Sequence, residues 1–412
     1  MKLKVLVTLN NMNIGGSQAY AFTLINELKA KGHIVFVASD KGEMVRDLEK
    51  IGVKHFEVNL STVTSLFNAL RYGSMEMVRD LEKKGVEHYG GGERRLQHVL
   101  LCARRFLYFF VSSIVRIRNI VRKEGIHLVH AMQPGPILTS SIVSRLTGIP
   151  LVATVHAPGR HEFPIHGFKL PGIADRIKKI IAVSQETRQY LISNCGVNEK
   201  KIVVIPNGVD LEVFRPSVHK KDLKRNEILY VSGIYHFSSV ISLISATPQI
   251  AQRVSNIKVI IVGRGHKLDE VTKLAKKIND QLGNETIVVA GTQSKDVMPR
   301  IMSSADVVIA LGRAALEAMA CGKPVIIAGR TGFGGIVTRN NINQLKTYNF
   351  SGRNSSERTT STRMAESVLK LLTSKKHRES LGSFGREMVE KEFDIRKIAG
   401  QIENVYLSAV RT

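Results

Sequence analysis

The sequence predicts an α/β protein built from two parallel-sheet halves, and three observations carry that prediction. Short β-rich apolar runs alternate with helical patterns along the chain, the arrangement of parallel sheets covered by helices on both faces. The first of these runs empties into Asn13-Ile14-Gly15-Gly16-Ser17, a glycine turn that opens a helix. Midway, residues 213–226 are polar, contain Pro216 and the cluster Lys220, Lys221, Lys224 and Arg225, and lack any period. A length of 412 residues agrees with two domains.

Taken in order, the first half carries strands at 3–10, 33–39, 53–59, 127–132, 150–156, 179–184 and 201–205, after which Pro206-Asn207-Gly208 breaks the pattern. The second half carries strands at 228–233, 257–262, 286–290, 306–310 and 324–328, and beyond 362 the chain reads as helical throughout. The expected domains are therefore 1–212 and 227–392, joined by a linker over 213–226 and followed by a C-terminal helix over 393–412. Residues 61–97 form an atypical insertion in the first domain and hold the second copy of a repeat. Glu43 to Phe56 recurs there as Glu76 to Tyr89, with 11 of 14 positions identical. Two copies are too few for a solenoid, so the repeat reads as a local duplication that adds a helix-turn unit in a surface loop.

Composition excludes several classes. Hydrophobic residues at 43% and charged residues at 23% are globular proportions, which rules out a disordered or collagen-like chain. Cys102, Cys195 and Cys321 lie far apart with no Cys-x-x-Cys pair, so neither a disulfide framework nor a structural zinc site is expected, and a reducing compartment fits. The apolar start, Met1 to Asn10, reads as a strand rather than a signal peptide. Phe106 to Val115, an uncharged and mostly apolar run, falls well short of the roughly 20 residues a spanning helix needs. A cytoplasmic protein, with peripheral attachment to the inner face of the cell membrane, is the expectation.

The 60 Lys and Arg residues against 35 Asp and Glu give a formal net charge of +25. Residues 94–123 hold eight of those cations and no acid. At about 100° per residue, Arg94, Arg104, Arg105, Arg116, Arg118, Arg122 and Lys123 fall on one half of a helix. Phe106, Phe109, Phe110, Ile114, Ile117, Ile120 and Val121 fall on the other half. Such a helix suits an anionic membrane surface, but a helix covering a parallel sheet carries the same face. We assign residues 112–123 to the sheet and 94–111 to the membrane surface, with Arg94, Arg95, Arg104 and Arg105 as candidate headgroup contacts. Nucleic acid is not the expected partner, because there is no zinc-finger spacing, no aromatic-basic RNA-binding segment and no Trp.

Three motifs carry candidate chemistry. Gly15-Gly16 at a helix start lets another group approach backbone N–H groups at the positive end of the helix dipole, although an ordinary strand-to-helix turn looks the same. His156 ends a strand, where ligands of open α/β sheets collect, although single histidines are often structural. Glu317 lies among small and apolar residues, where a carboxylate needs a partner; it suits a pair of sugar hydroxyls, or equally a helix cap. Gly263-Arg264-Gly265 lacks the third glycine of the dinucleotide fingerprint, so a nicotinamide or flavin cofactor is not expected. No Asp-x-Asp, metal-ligand cluster, phosphate-loop signature or nucleophile elbow occurs, so no metal or cofactor has a visible seat.

Together these segments resemble the retaining glycosyltransferases of family 4. The segments are Gly15-Gly16, Thr154-Val155-His156, Ile180 to Ser184, Ile205 to Asp210, Ile261 to Gly265, Ala305 to Val308 and Ala315 to Pro324, in that order. The resemblance covers nearly the whole chain outside about 61–97. It implies two facing Rossmann-like domains, the GT-B fold, with the active site in the cleft. The second domain would bind a nucleotide-sugar and the first an acceptor. Glu317 matches the glutamate that holds the donor ribose, His156 the histidine beside the transferred sugar, and the Gly15 and Gly16 amides would lie near the donor phosphate. No protein nucleophile is visible, so front-face transfer with retention is the implied route.

The departures fall where phosphate charge should be neutralised. Gly233 stands where the family usually has Arg, Ser238 where it usually has Lys, and Ile309 where the first glutamate of the Glu-x7-Glu motif belongs. Arg313 and Arg264 are the cations placed to take over, with Gly265, Gly312 and Ala314 beside them as further donor contacts; a merely helix-capping Arg313 is the alternative. The expected activity is metal-independent transfer of a sugar to a glycan or lipid-linked acceptor in cell-surface polysaccharide or glycolipid synthesis. A non-catalytic nucleotide-sugar or glycan-binding protein on the same scaffold is the alternative.

Overall fold

The computed structural model describes residues 1–65, 92–158, 173–217, 225–234 and 238–411, and the side chains of 92–103 lie outside that description. The chain divides into two compact units: residues 1–205 with 399–412, and residues 206–398. Both are α/β units with parallel sheets, as the sequence predicts.

The first unit has seven parallel strands: β1 (Lys4–Asn11), β2 (Ile34–Asp40), β3 (Lys54–Glu57), β4 (Leu128–Met132), β5 (Leu151–Val155), β6 (Lys179–Ala182) and β7 (Ile202–Val204). Their order is β3-β2-β1-β4-β5-β6-β7. Every residue of β4 and β5 is buried, which is why these strands read as continuous apolar runs rather than alternating ones. Around them lie helices α1 (Gly16–Ala30), α2 (Val45–Lys50), α3 (Gly92–Glu124), α4 (Pro134–Thr147), α5 (Ile173–Arg176) and α6 (Gln185–Cys195). Ser184 caps α6 by accepting from the Thr187 N–H, and Gly196 closes it in the left-handed conformation.

Helix α3 is covered unevenly along its length. Ile117, Ile120 and Val121 enter the first unit's core with Ile114 packed beside them, so the stretch assigned to the sheet does cover it. Nearer its start, Leu107, Tyr108, Val111 and Val115 are 46–69% exposed. The first copy of the repeat forms α2, a turn at Gly52 and β3, and the second copy lies outside the described residues.

The second unit has strands β8 (Asn226–Val231), β9 (Ile257–Val262), β10 (Ile287–Gly291), β11 (Val307–Ala310), β12 (Val325–Ala328) and β13 (Phe333–Ile336), in the order β10-β9-β8-β11-β12-β13. All pairs are parallel except β12 with β13. The sequence reading lacks β13, because Phe333-Gly334-Gly335-Ile336 shows neither alternation nor β-branched runs. Its glycines have a use: a Cβ on Gly334 would sit 2.9 Å from Ile327 Cγ2 of the neighbouring strand. Helices α7 (Ser238–Arg253), α8 (Leu268–Leu282), α9 (Met298–Ser304), α10 (Gly312–Ala320), α11 (Ile342–Thr347), α12 (Ser361–Leu372), α13 (Lys375–Glu392) and α14 (Ile395–Arg411) complete the chain.

Two expected boundaries move. The first unit closes at Ile205 rather than at 212, because the following residues pack into the second unit: Val209, Leu211 and Phe214 belong to its core. The Val209 N–H donates to Phe393 O at 2.8 Å, and the Ile395 N–H donates to Val209 O at 3.0 Å. Of the expected linker, 218–224 lies outside the described residues, and Asn226 already starts β8. The C-terminal helix is not a separate piece. Its residues from Ala399 onward are part of the first unit, where the Glu403 carboxylate takes Lys31 Nζ and His33 Nε2 at 3.0 Å each.

Candidate functional site

Strand order alone marks one ligand position in each unit. In open α/β sheets ligands collect beyond the carboxyl ends of strands where the chain reverses its direction of winding. In the first unit that reversal lies between β1 and β4, and in the second between β8 and β11.

In the first unit, the turn after β1 delivers Gly15 and Gly16 to the start of α1. Gly15 is extended (φ −175°), no side chain caps the helix, and no acid lies in its first turn. A Cβ on Gly16 would meet nothing within 4 Å, so that glycine leaves open room above the helix start rather than serving a tight internal contact. The turn after β4 places Gln133 at φ +76°, a left-handed conformation that glycine usually takes. Gln133 Oε1 accepts from the Asn10 N–H at 2.9 Å, and its Nε2 donates to Ser17 Oγ at 3.0 Å. One side chain, carried on a strained backbone, therefore ties the end of β1 to the start of α1 at the reversal point. Sequence reasoning missed Gln133, and the signal that existed was a polar residue before Pro134 at a strand end.

His156 follows β5, the neighbour of β4, and is half-buried. Its ring stands edge-on to Tyr20 of α1, with centroids 5.2 Å apart and an interplanar angle of 78°. The helix after the glycine turn and the histidine strand thus meet in one place. Residues 159–172, which follow His156, lie outside the described residues.

In the second unit, Leu311 enters α10 extended, without a side-chain cap, and Gly312 takes φ +53° while donating its N–H to Phe350 O at 2.9 Å. Arg313, Ala314 and Glu317 follow on this helix. Arg313 Nε lies 2.7 Å from Glu317 Oε1, and the two side chains are only 10% and 13% exposed. Burial pushes the Glu317 carboxyl up and the Arg313 guanidinium opposes that. The two residues singled out separately in the sequence are therefore one ion pair, a turn apart, at the reversal point.

The glycine turn after β9 packs against the turn after β8. A Cβ on Gly263 would lie 2.0 Å from Ser232 O, and the Ile234 N–H donates to Arg264 O at 2.8 Å. Arg264 and Gly265 are half-buried there, and Gly233 is exposed, so a longer side chain at 233 has room. Ser238 begins α7. Ile309 is fully buried within β11, in a core cluster with Tyr230 and Ile326, where a carboxylate would be desolvated. Of the membrane candidates, Arg104 and Arg105 are exposed on α3, while the side chains of Arg94 and Arg95 lie outside the described residues. Among the described residues no group of three His, Cys, Asp or Glu is placed to hold a metal ion.

Comparison with known proteins agrees with this geometry. A family model described as Glycosyltransferase Family 4 matches residues 14–213, and one described as Glycosyl transferases group 1 matches 214–388. The two family models define the class, a glycosyltransferase, and the two α/β units are those of the GT-B fold. Within that class the chain belongs to family 4.

Among solved structures, a glycosyltransferase from Rickettsia africae shares 18% identity at a TM-score of 0.72, covering 100% of this chain and 99% of that one. Anabaena HepE in complex with UDP and glucose shares 17% identity at a TM-score of 0.69, covering 98% and 100%. Among sequences, an Escherichia coli UDP-Gal:alpha-D-GlcNAc-diphosphoundecaprenol alpha-1,3-galactosyltransferase is 25% identical over 56% of this chain. A GDP-mannose-dependent phosphatidylinositol monomannoside mannosyltransferase from Mycobacterium tuberculosis is 26% identical over 70% of this chain and 77% of its own length. The match spans 65% of the E. coli protein's length.

Proposed function

We propose that the protein is a hexosyltransferase that moves a sugar from a nucleoside-diphosphate donor to a hydroxyl of a lipid-linked or glycan acceptor, with retention and without a metal ion. The observation that carries this reading is the Arg313–Glu317 pair at the winding reversal of the second sheet. A nearly buried carboxylate held in place by its own cation is pre-positioned to accept from the two ribose hydroxyls of a nucleotide. In the reaction the bond from the anomeric carbon to the diphosphate oxygen breaks, the acceptor oxygen bonds that carbon, and the acceptor proton leaves with the diphosphate. The protein's task is then to stabilise negative charge on the leaving group. Arg264, the first-turn N–H group of Ala314, and those of Gly15 and Gly16 are the groups this reading assigns to it, with His156 against the sugar.

The relatives named above use UDP-Gal and GDP-mannose and act on diphosphoundecaprenol and phosphatidylinositol lipids by name. Those donors, with UDP-GlcNAc, form the test panel. Release of UDP or GDP with one of them is expected, and Glu317→Gln should weaken donor binding about tenfold by calorimetry, the loss of a charged hydrogen bond. Binding without turnover for every donor would instead show a nucleotide-sugar-binding protein.

We also place the chain against an anionic membrane surface, the inner face of the cell membrane if the compartment is cytoplasmic. Among the described residues no helix is long and apolar enough to cross a membrane. The support for a surface role is the exposed Leu107, Tyr108, Val111 and Val115 on a helix whose residues 94–123 carry cations and no acid. Each basic residue near such a surface contributes about 1 kcal/mol, so Arg104→Gln with Arg105→Gln should lower liposome partitioning about 30-fold. Equal co-sedimentation with neutral and anionic vesicles would remove this part of the reading.

A further inference from the structure

Five residues from four separate segments meet inside the first unit: Tyr20 from α1, His130 from β4, Thr154 from β5, His156 just beyond it, and Tyr406 from α14. Tyr20, His130, Thr154 and Tyr406 are at most 1% exposed. His130 is the hub. Its Nδ1 lies 2.6 Å from the Tyr406 hydroxyl and its Nε2 lies 2.7 Å from Thr154 Oγ1. The Tyr406 ring stands at 72° to the imidazole with centroids 5.5 Å apart.

The chemistry of these groups assigns the protons. Burial opposes ionisation of Tyr406, so its hydroxyl keeps its proton and must donate it. The available acceptor is His130 Nδ1, which makes His130 the Nε2–H tautomer and sends that N–H to Thr154 Oγ1. Burial also pushes His130 down to about 3, with the nearby His156 acting in the same direction, so the hub stays uncharged at any physiological pH. An apolar filling of this space would avoid the desolvation of three polar groups, and the sheet does not need them for its ladder. What the polar filling adds is direction: each bond has one geometry, and Thr154 lies two residues before His156, on the same face of the strand end.

We propose that His130 and Tyr406 are positioning residues for His156, an uncharged brace through which the C-terminal helix sets the strand end that carries the histidine. The proposal rests on the reading of His156 as a sugar-side residue for its effect on turnover, but not for its effect on the histidine itself. It also gives the return of α14 to the first unit a role beyond packing.

The test uses the full-length chain labelled with ¹⁵N-histidine. Wild-type spectra should show the His130 ring fixed as the neutral Nε2–H tautomer. Tyr406→Phe removes only the hydroxyl, and Thr154→Val only the acceptor; both should shift the ring resonances of His156, which neither residue replaces. In turnover assays both should lower kcat about 10- to 100-fold while leaving the donor KM within about threefold, the pattern of a misplaced group rather than a lost binding contact. Thr154→Ser keeps the hydroxyl and should restore both readouts, which a role in core volume would not. Unmoved His156 resonances in both Tyr406→Phe and Thr154→Val, with folded circular-dichroism spectra, would overturn the brace. If the wild-type protein turns over no donor, the transferase reading fails separately and the histidine spectra still decide this one.

Discussion

Arg313→Ala is expected to destabilise the second unit by about 3 kcal/mol at pH 7, measured by denaturant unfolding, because it leaves the nearly buried Glu317 carboxylate without its cation. Surface ion pairs contribute far less, and the 10% and 13% exposures of the two side chains are what place this pair near the buried limit. The effect has a pH signature. Burial raises the folded-state pKa of Glu317 above its unfolded value of about 4.3, so the folded state holds the proton more tightly. The stability linked to that raised pKa is fully present below the unfolded value and is lost as pH rises through the folded one. Removing Arg313 raises the folded pKa further. The deficit of Arg313→Ala should therefore be largest at pH 7 and shrink as the pH falls toward 4. An equal deficit across that range would mean that the pair contributes no electrostatic stability. Calorimetry on the same variant decides the second question: unchanged nucleoside-diphosphate affinity would show that Arg313 serves Glu317 and not the diphosphate.

His156→Ala should lower turnover about 100- to 1000-fold, the scale at which loss of one transition-state contact registers, with the donor KM little changed. His156 is half-buried and shares an edge with Tyr20, so the substitution costs the fold one ring contact and the chain should unfold within about 1 kcal/mol of wild type. A loss of turnover under threefold would return His156 to a structural role.

Local pattern was enough for much of this. Strands of the parallel sheets are buried on both faces, so they appear as β-rich runs between helical periods, and β4 and β5 were legible for that reason. The failures lie where contacts distant in the sequence or an unusual backbone decide the structure. β13 carries two glycines in four residues and owes its existence to its partner β12. The boundary at 205 depends on Val209 pairing with a segment near 394, far along the chain. Gln133 was illegible because a left-handed backbone at a non-glycine residue leaves no mark in composition. Along α3 the amphipathic period runs unbroken, and which of its apolar residues reach the core and which stay exposed is decided by tertiary packing.

By itself the sequence determined the class: two parallel α/β units, the order of the family 4 motifs, and the candidate residues at strand ends and helix starts. Those features are set within a few neighbouring residues, by period, propensity and turn chemistry. Only the tertiary structure decided which of those residues act together. Arg313 and Glu317 stand four apart in the sequence, yet spacing alone does not say that they pair rather than face solvent; their burial does. Tyr406 and His130 are 276 positions apart, and nothing local relates them. They meet because the sheet must be covered, α14 returns to cover it, and a buried hydroxyl and a buried imidazole lower their desolvation cost by finding each other.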